Sequence, residues 1–293
     1  MSSFPLILVT ERNPVSFMTR SRQWLLALAA LGVAAIVLFP IYWMLLTSML
    51  PSELTRSRDP VLLPRLSALS LEAFTAVLAR KPVLTWLANS AIVTVGATFI
   101  SLVISTLAGY SLSRFKSRAQ QGAGFALLVS KMLPSSLIVI PFFIGFSTFG
   151  LIDSRWGLIA ANAAVGVPFA TWLMKGFFDG IPREIELAAM LDGCSGMQAV
   201  WYVVLPLSKP GLAACGIYLA IVTWSDFVFA RTLVTSPDLW VLTVGMQSFL
   251  GEYLVDWSSL MAVGALSLAP VFVLFLLLEP FLVSGMTQGA VAN

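Results

Sequence analysis

The chain contains no histidine, and only 11% of its 293 residues are charged. The first absence removes the commonest general base and the commonest metal ligand. The second argues against an ordinary soluble domain, in which roughly 25% of residues carry charge. No G-x-x-x-x-G-K-[ST] run occurs, so the chain cannot hydrolyse a nucleotide by that route. No cluster of nucleophile and base is visible, which argues against a membrane-embedded enzyme. Cysteine is almost missing too. Cys194 and Cys215 form no metal-binding spacing, and reduced, structural thiols are expected. The net charge of +3 is too small to point to nucleic acid.

What fills the chain is apolar: 58% of residues are hydrophobic, and mean hydropathy is +0.92. A helix needs about 20 apolar residues to cross a bilayer. Six such runs can be read: Trp24–Met49, Leu84–Leu112, Gly122–Gly150, Trp156–Met174, Gly211–Ala230 and Ser258–Leu278. The first is too long for the core of a signal peptide and reads as an uncleaved anchor. The predicted fold class is therefore an all-α membrane protein with six transmembrane helices. Residues 1–23 form an N-terminal segment, 24–282 the six-span domain and 283–293 a tail.

Lysine and arginine near the span ends set the orientation. Arg12, Arg20 and Arg22 precede the first span, Arg114, Lys116 and Arg118 follow the second, and Lys175, Arg183 and Lys209 lie between the fourth and fifth. Six spans bring these regions to one side, assigned here to the cytoplasm together with both termini. The first outer loop, with Arg56, Arg58, Arg65, Arg80 and Lys81, runs against the rule. Positive-inside anchoring accounts for Lys116 and its arginine neighbours.

One stretch is unlike the rest. Within a cytoplasmic loop of about 176–210, Glu186–Gly211 reads ELAAMLDGCSGMQAVWYVVLPLSKPG. Pro182 and Glu184 suit a helix start, and Ile185, Ala188, Ala189 and Asp192 share one helical face. Gly193 stands where a C-terminal glycine cap belongs. Ser195 with Gln198 reads as a capping box opening a second helix, with Met197, Val200, Trp201, Val204 and Leu205 on its apolar face. Pro206 and Pro210 are expected to stop it. Such a knob suits a groove on a partner; equally, it suits a loop lying on lipid headgroups.

Within the spans only Lys131 and Asp226 carry charge, which in lipid is expensive. They can serve a transport path, or form an ion pair or reach the headgroups. Trp224 can stack on a ligand or anchor at the interface. Asn162 can bind a hydroxyl or tie two helices.

Glu186–Pro206 resembles the EAA loop of permease subunits in ABC importers, whose pattern is E-A-A, three residues, glycine, nine residues, then I-x-L-P. Ala188, Ala189, Gly193, Leu205 and Pro206 match, with Val203 for isoleucine; Asp192 precedes the glycine, and Leu187 stands where the family has glutamate, with Glu186 one position earlier. Asn89–Arg118, Lys131–Gly150 and Pro168–Pro182 are similar to carbohydrate importers of the maltose and glycerol-phosphate type. WSDF at Trp224–Phe227 resembles a W-N-[ED]-F element, and GMTQGAVAN at Gly285–Asn293 a G-L-T-x-G-A-V-K-G ending. The resemblance implies a type I importer permease fold, like the shorter six-span subunit of the maltose system. It also implies partners: a second, different permease, two copies of a cytoplasmic ATPase that binds ATP and Mg and is docked by Glu186, Ala188, Ala189, Asp192, Gly193, Leu205 and Pro206, and an extracytoplasmic sugar-binding protein. This chain would bind no cofactor itself. A stand-alone carrier or channel, or an importer for another solute, is the alternative.

Overall fold

A computed structural model of the protein describes residues 20–55, 61–251 and 255–290. Along the chain run α1 (Arg20–Met49), α2 (Ser52–Thr55), α3 (Glu72–Arg80), α4 (Val83–Arg114), α5 (Arg118–Met132), α6 (Ser135–Thr148) and α7 (Arg155–Asp179). Then come α8 (Arg183–Leu191), α9 (Gly196–Ala199), a π-helical turn at Val200–Val204, α10 (Leu205–Leu207), α11 (Lys209–Trp224), α12 (Val228–Leu233), α13 (Leu242–Met246) and α14 (Trp257–Ala290). Among the described residues the only β pairing is an isolated Leu250–Val255 bridge. By length and composition α1, α4, α7 and α14 suffice to cross a membrane, and two bent helix pairs raise the number to six.

The parallel pair α4 and α7 is the centre, Asn89 of α4 meeting Arg155 of α7 at one end and Ser113 meeting Asp179 at the other. Ala97, Ser101, Ser105, Gly109 and Ser113 recur every four residues along α4, and all are buried. In lipid, hydrophobicity does not drive helices together, so close packing over small residues does the work. A Cβ on Gly109 would lie 2.9 Å from the Lys175 amide nitrogen and 3.0 Å from the Thr171 carbonyl. The Ser101 hydroxyl donates to the Ala163 carbonyl at 3.3 Å. α11 packs on both helices, with Gly166 against Leu219 and the buried, free Cys215 beside α7.

At one end of this pair, the far end, side chains stitch α4 and α7 to the segment after α12. Asn89 donates to the carbonyls of Asp238 and Trp240 at 2.8 and 2.9 Å, and accepts from Arg155 Nε at 3.0 Å. Asp153 has a φ of 56°, a conformation that aspartate and asparagine tolerate better than most. It accepts from the Ser236 hydroxyl and from the amides of Ser236 and Thr235 at 2.9 and 3.0 Å. The Ser236 hydroxyl and then its amide hold the Asp153 carboxyl below its usual pKa. A depressed folded pKa stabilises above the unfolded value and is lost as pH falls through the folded one. Asp153→Asn keeps the backbone conformation and removes the charge. Its melting temperature is therefore expected to fall below wild type at pH 7, with the gap closing below about pH 4.

Two expectations are corrected. The third span is not one helix: α5 and α6 meet at 108°. Pro134 opens α6 with no amide to donate, and Leu133 before it is extended (φ −75°, ψ 126°), as residues preceding proline prefer. The fifth span does not run to Ala230 as a continuous helix: α11 stops at Trp224 and Ser225–Phe227 separate it from α12. At the C-terminus α14 continues to Ala290, so residues 283–290 are helical, while 291–293 of the GMTQGAVAN match lie outside the described residues. Arg12, Arg56 and Arg58 also lie outside them.

Candidate functional site

Opposite the far end, α4 and α7 finish beside the 182–208 segment. α8 closes in a Schellman motif: the Cys194 amide donates to the Ala189 carbonyl and the Gly193 amide to the Met190 carbonyl, both at 3.1 Å. Gly193 adopts φ 98°, which glycine alone accepts without strain. The capping box follows as the local sequence dictates, with Ser195 Oγ accepting from Gln198 N and Gln198 Oε1 from Ser195 N.

The two prolines behave differently from expectation. Pro206 lies inside the second helix rather than ending it, and the turn before it widens into the π form. A proline has no amide to close the preceding turn, and a π turn accommodates that loss. Ser208 makes the break, at 72° to α11, whose first turn holds Pro210. The expected apolar face also divides. Val204 is buried against Met174 and Phe178 of α7, whereas Met197 and Trp201 are exposed.

The outer surface of this hairpin is apolar. Ile185, Leu187, Met190, Leu191, Met197, Trp201, Tyr202 and Leu207 are exposed, Leu191 to 89%. Ala188, Asp192, Gly193 and Pro206 share that exposure, and Ala189 and Leu205 are half-buried. Glu186, expected on the docking surface with the others, instead turns inward, 6% exposed, because its carboxylate meets Arg114 at the end of α4. Arg114 was not legible as a site residue, because 72 residues separate it from Glu186.

The intramembrane candidates sit at helix breaks. Lys131 is exposed one residue before α5 ends. Asp226 lies in the break after α11 and caps α12, accepting from the amides of Phe229 and Ala230 at 3.3 and 3.1 Å. Asn162 Nδ2 donates to Asp226 Oδ2 at 3.4 Å and to the Leu158 carbonyl at 3.0 Å, so these two come together. Lys131 and Asp226 do not: among the described residues the ion pairs are Arg114–Glu186 and Lys175–Asp179. Trp224 is half-buried and borders an apolar crevice of about 340 Å³ between α4, α11 and α14.

Residues 101–288, from the middle of α4 through the hairpin into α14, match the family described as binding-protein-dependent transport system inner membrane component. The chain belongs to this family. It is a permease of the ABC importer class, and a protein of the inner membrane by family and by its apolar helices. The permease is 34% identical over 207 residues to the maltodextrin transport system permease protein MdxG of Bacillus subtilis, covering 70% of this chain and 74% of MdxG. It is 30% identical over 265 residues to the diacetylchitobiose uptake system permease protein DasC of Streptomyces coelicolor, covering 89% and 95%. Among solved structures it is similar to a chain of a bacterial ABC transporter involved in import of the acidic polysaccharide alginate. The TM-score is 0.75 at 25% identity, over 90% of this permease and 98% of that chain.

Proposed function

We propose that this permease is one of two different membrane subunits of an ATP-driven carbohydrate importer, and that its 182–208 hairpin docks on a cytoplasmic ATPase. The carrying observation is the hairpin itself, a capped helix–turn–helix whose outward apolar row has no cover among the described residues. A contiguous exposed apolar surface of this kind marks an interaction site. In this reading Ala188, Ala189, Asp192, Gly193, Leu205 and Pro206 belong to the docking element, and Glu186 joins it to the spans. The hairpin end and both termini face the cytoplasm.

Carbohydrate as the substrate class is supported by the relatives, which are named for maltodextrin, diacetylchitobiose and sulfoquinovosyl glycerol transport. A second structural neighbour, 14% identical, supports the fold alone. ATP and Mg bind the partner ATPase, and an external sugar-binding protein delivers the substrate. ATP favours one conformation of the complex by binding it more tightly, and the spans alternate access about their interrupted helices. The path is assigned to those interruptions: Lys131 at one, Trp224 and Asp226 at the other, with Asn162 steadying Asp226.

The test is to co-express the permease with the ATPase and second permease encoded beside it and to purify on a tag carried by this chain alone. Co-elution of the ATPase, with hydrolysis stimulated by a sugar-loaded binding protein, is expected. A well-folded preparation without ATPase would turn the reading to a stand-alone carrier. Trp224→Ala is expected to lower sugar uptake several-fold with the ATPase still bound; unchanged uptake would remove Trp224 from the path.

A further inference from the structure

We propose that Arg114 and Glu186 form the coupling joint of the permease: positioning residues that carry movement of α8 into the α4–α7 pair. The proposal rests on the reading of the hairpin as the ATPase-docking element, and asks how a nine-residue helix moves spans to which it is weakly attached.

The attachment is unusual in kind. Glu186 is the only buried residue of α8; no apolar side chain of that helix is buried. What Glu186 meets is a guanidinium with every donor used. Arg114 Nε and NH2 both reach Glu186 Oε1 at 2.5 Å. NH1 donates to the Phe178 carbonyl at 2.9 Å and to Ser113 Oγ at 3.1 Å, and NH2 to the Ile181 carbonyl at 3.1 Å. Tyr110 donates to Glu186 Oε2 at 3.0 Å. Phe178 belongs to the last turn of α7 and Ile181 follows it, so one cation at the end of α4 caps the negative end of α7 and grips α8. The interlock is reciprocal: Arg183, the first residue of α8, donates to the carbonyls of Ser113 and Arg114. Ser113 in turn donates to Asp179 Oδ1 at 2.7 Å, joining α4 to α7 a second time.

Stability alone does not explain such a device. Both side chains of the pair are 8% exposed, and a buried ion pair often stabilises no better than apolar residues of the same volume. An apolar contact slides, however, whereas a planar guanidinium with all five donors placed, two of them on Glu186 Oε1, fixes both distance and direction. Those are the properties a link needs when a small displacement at the docking site must turn two packed helices together. Lysine cannot substitute, since its single ammonium carries three donors and cannot reach the four acceptors that Arg114 holds.

The experiment uses the assembled complex in liposomes with the binding protein encoded beside it. A reporter cysteine is placed at the α5–α6 break (Ser136→Cys in a Cys194→Ser background), and its labelling by a water-soluble maleimide is followed with and without a non-hydrolysable Mg-ATP analogue. With the joint intact, nucleotide is expected to change the labelling rate at least about fivefold, within the range of ordinary allosteric coupling. In Glu186→Gln and Arg114→Lys the ATPase is expected to stay bound and hydrolyse ATP, while labelling loses its response. A normal response in either variant overturns the joint. Tyr110→Phe, which removes one bond to Glu186, decides the matter if those variants fail to assemble: a reduced response supports the joint and a full one overturns it. If the parent complex lacks ATPase, or its labelling ignores nucleotide, the docking reading itself fails, an outcome distinct from failure of the joint.

Discussion

Gly193→Asp is expected to strip the ATPase from the purified complex while the spans stay folded. At φ 98° a side chain of any kind is strained, at a cost of about 1–3 kcal/mol. Locally that cost falls on the Schellman turn, whose two 3.1 Å bonds end α8. The larger effect lies outside the chain. A Cβ built on Gly193 meets nothing within 4 Å, so the new carboxylate would project from the knob towards whatever covers it. Buried in a partner's groove without a counter-charge, it would cost several kcal/mol more. Gly193→Ala separates the two terms, since it carries the strain without the charge, and it is expected to retain part of the bound ATPase. Co-elution measured on a tag carried by this chain reads both. Wild-type amounts of ATPase with Gly193→Asp would mean that the turn is not at the interface.

The second large effect is expected at Gly109→Leu, which should prevent recovery of folded permease. The atoms a Cβ would strike there belong to α7's backbone at Lys175 and Thr171, 2.9 and 3.0 Å away. Backbone in a helix cannot rotate aside, so α4 and α7 must separate along the whole stripe from Ala97 to Ser113. Overpacking typically costs 1–3 kcal/mol, and this site lies at its upper end because the packing of small residues is the adhesive. Gly122→Leu is the control. It too lies in a span, but a Cβ there has no neighbour within 4 Å, and its yield and melting temperature should match wild type. Equal yields from the two variants would show that the α4–α7 contact is less tight than described.

What the sequence made legible was local. Ser195 with Gln198, and Gly193 after a helical face, act within three or four positions, and the structure places both caps where that spacing puts them. The apolar runs located the spans for the same reason. Features that depend on distant partners were hidden. Arg114 reads as one more loop cation until the fold brings Glu186 to it. Asp226 reads as a lone intramembrane charge until α12 turns its amides towards it. The break at Leu133–Pro134 was visible as a proline, but its 108° angle was not, since a helix can also run on through a proline, as α7 does at Pro168. One signal was available and unread: small residues at every fourth position from 97 to 113 are the mark of a close helix pair.

The interrupted third span has a cost for a newly made copy of the chain. Ser130, Lys131, Ser135 and Ser136 all lie exposed around the bend, about four turns from the start of α5. Along α1, Trp24, Leu28, Leu31, Ile36 and Val37 are bare as well. Lipid accepts the second surface and penalises the first, by about 2.5–3.5 kcal/mol for a lysine in a central position, with more for loose backbone groups. A solitary copy is thus a poor resident of the bilayer, of the kind that membrane quality-control proteases remove. Its half-life in the cell should follow the supply of the second subunit, so that the number of finished transporters is set by whichever chain is made more slowly.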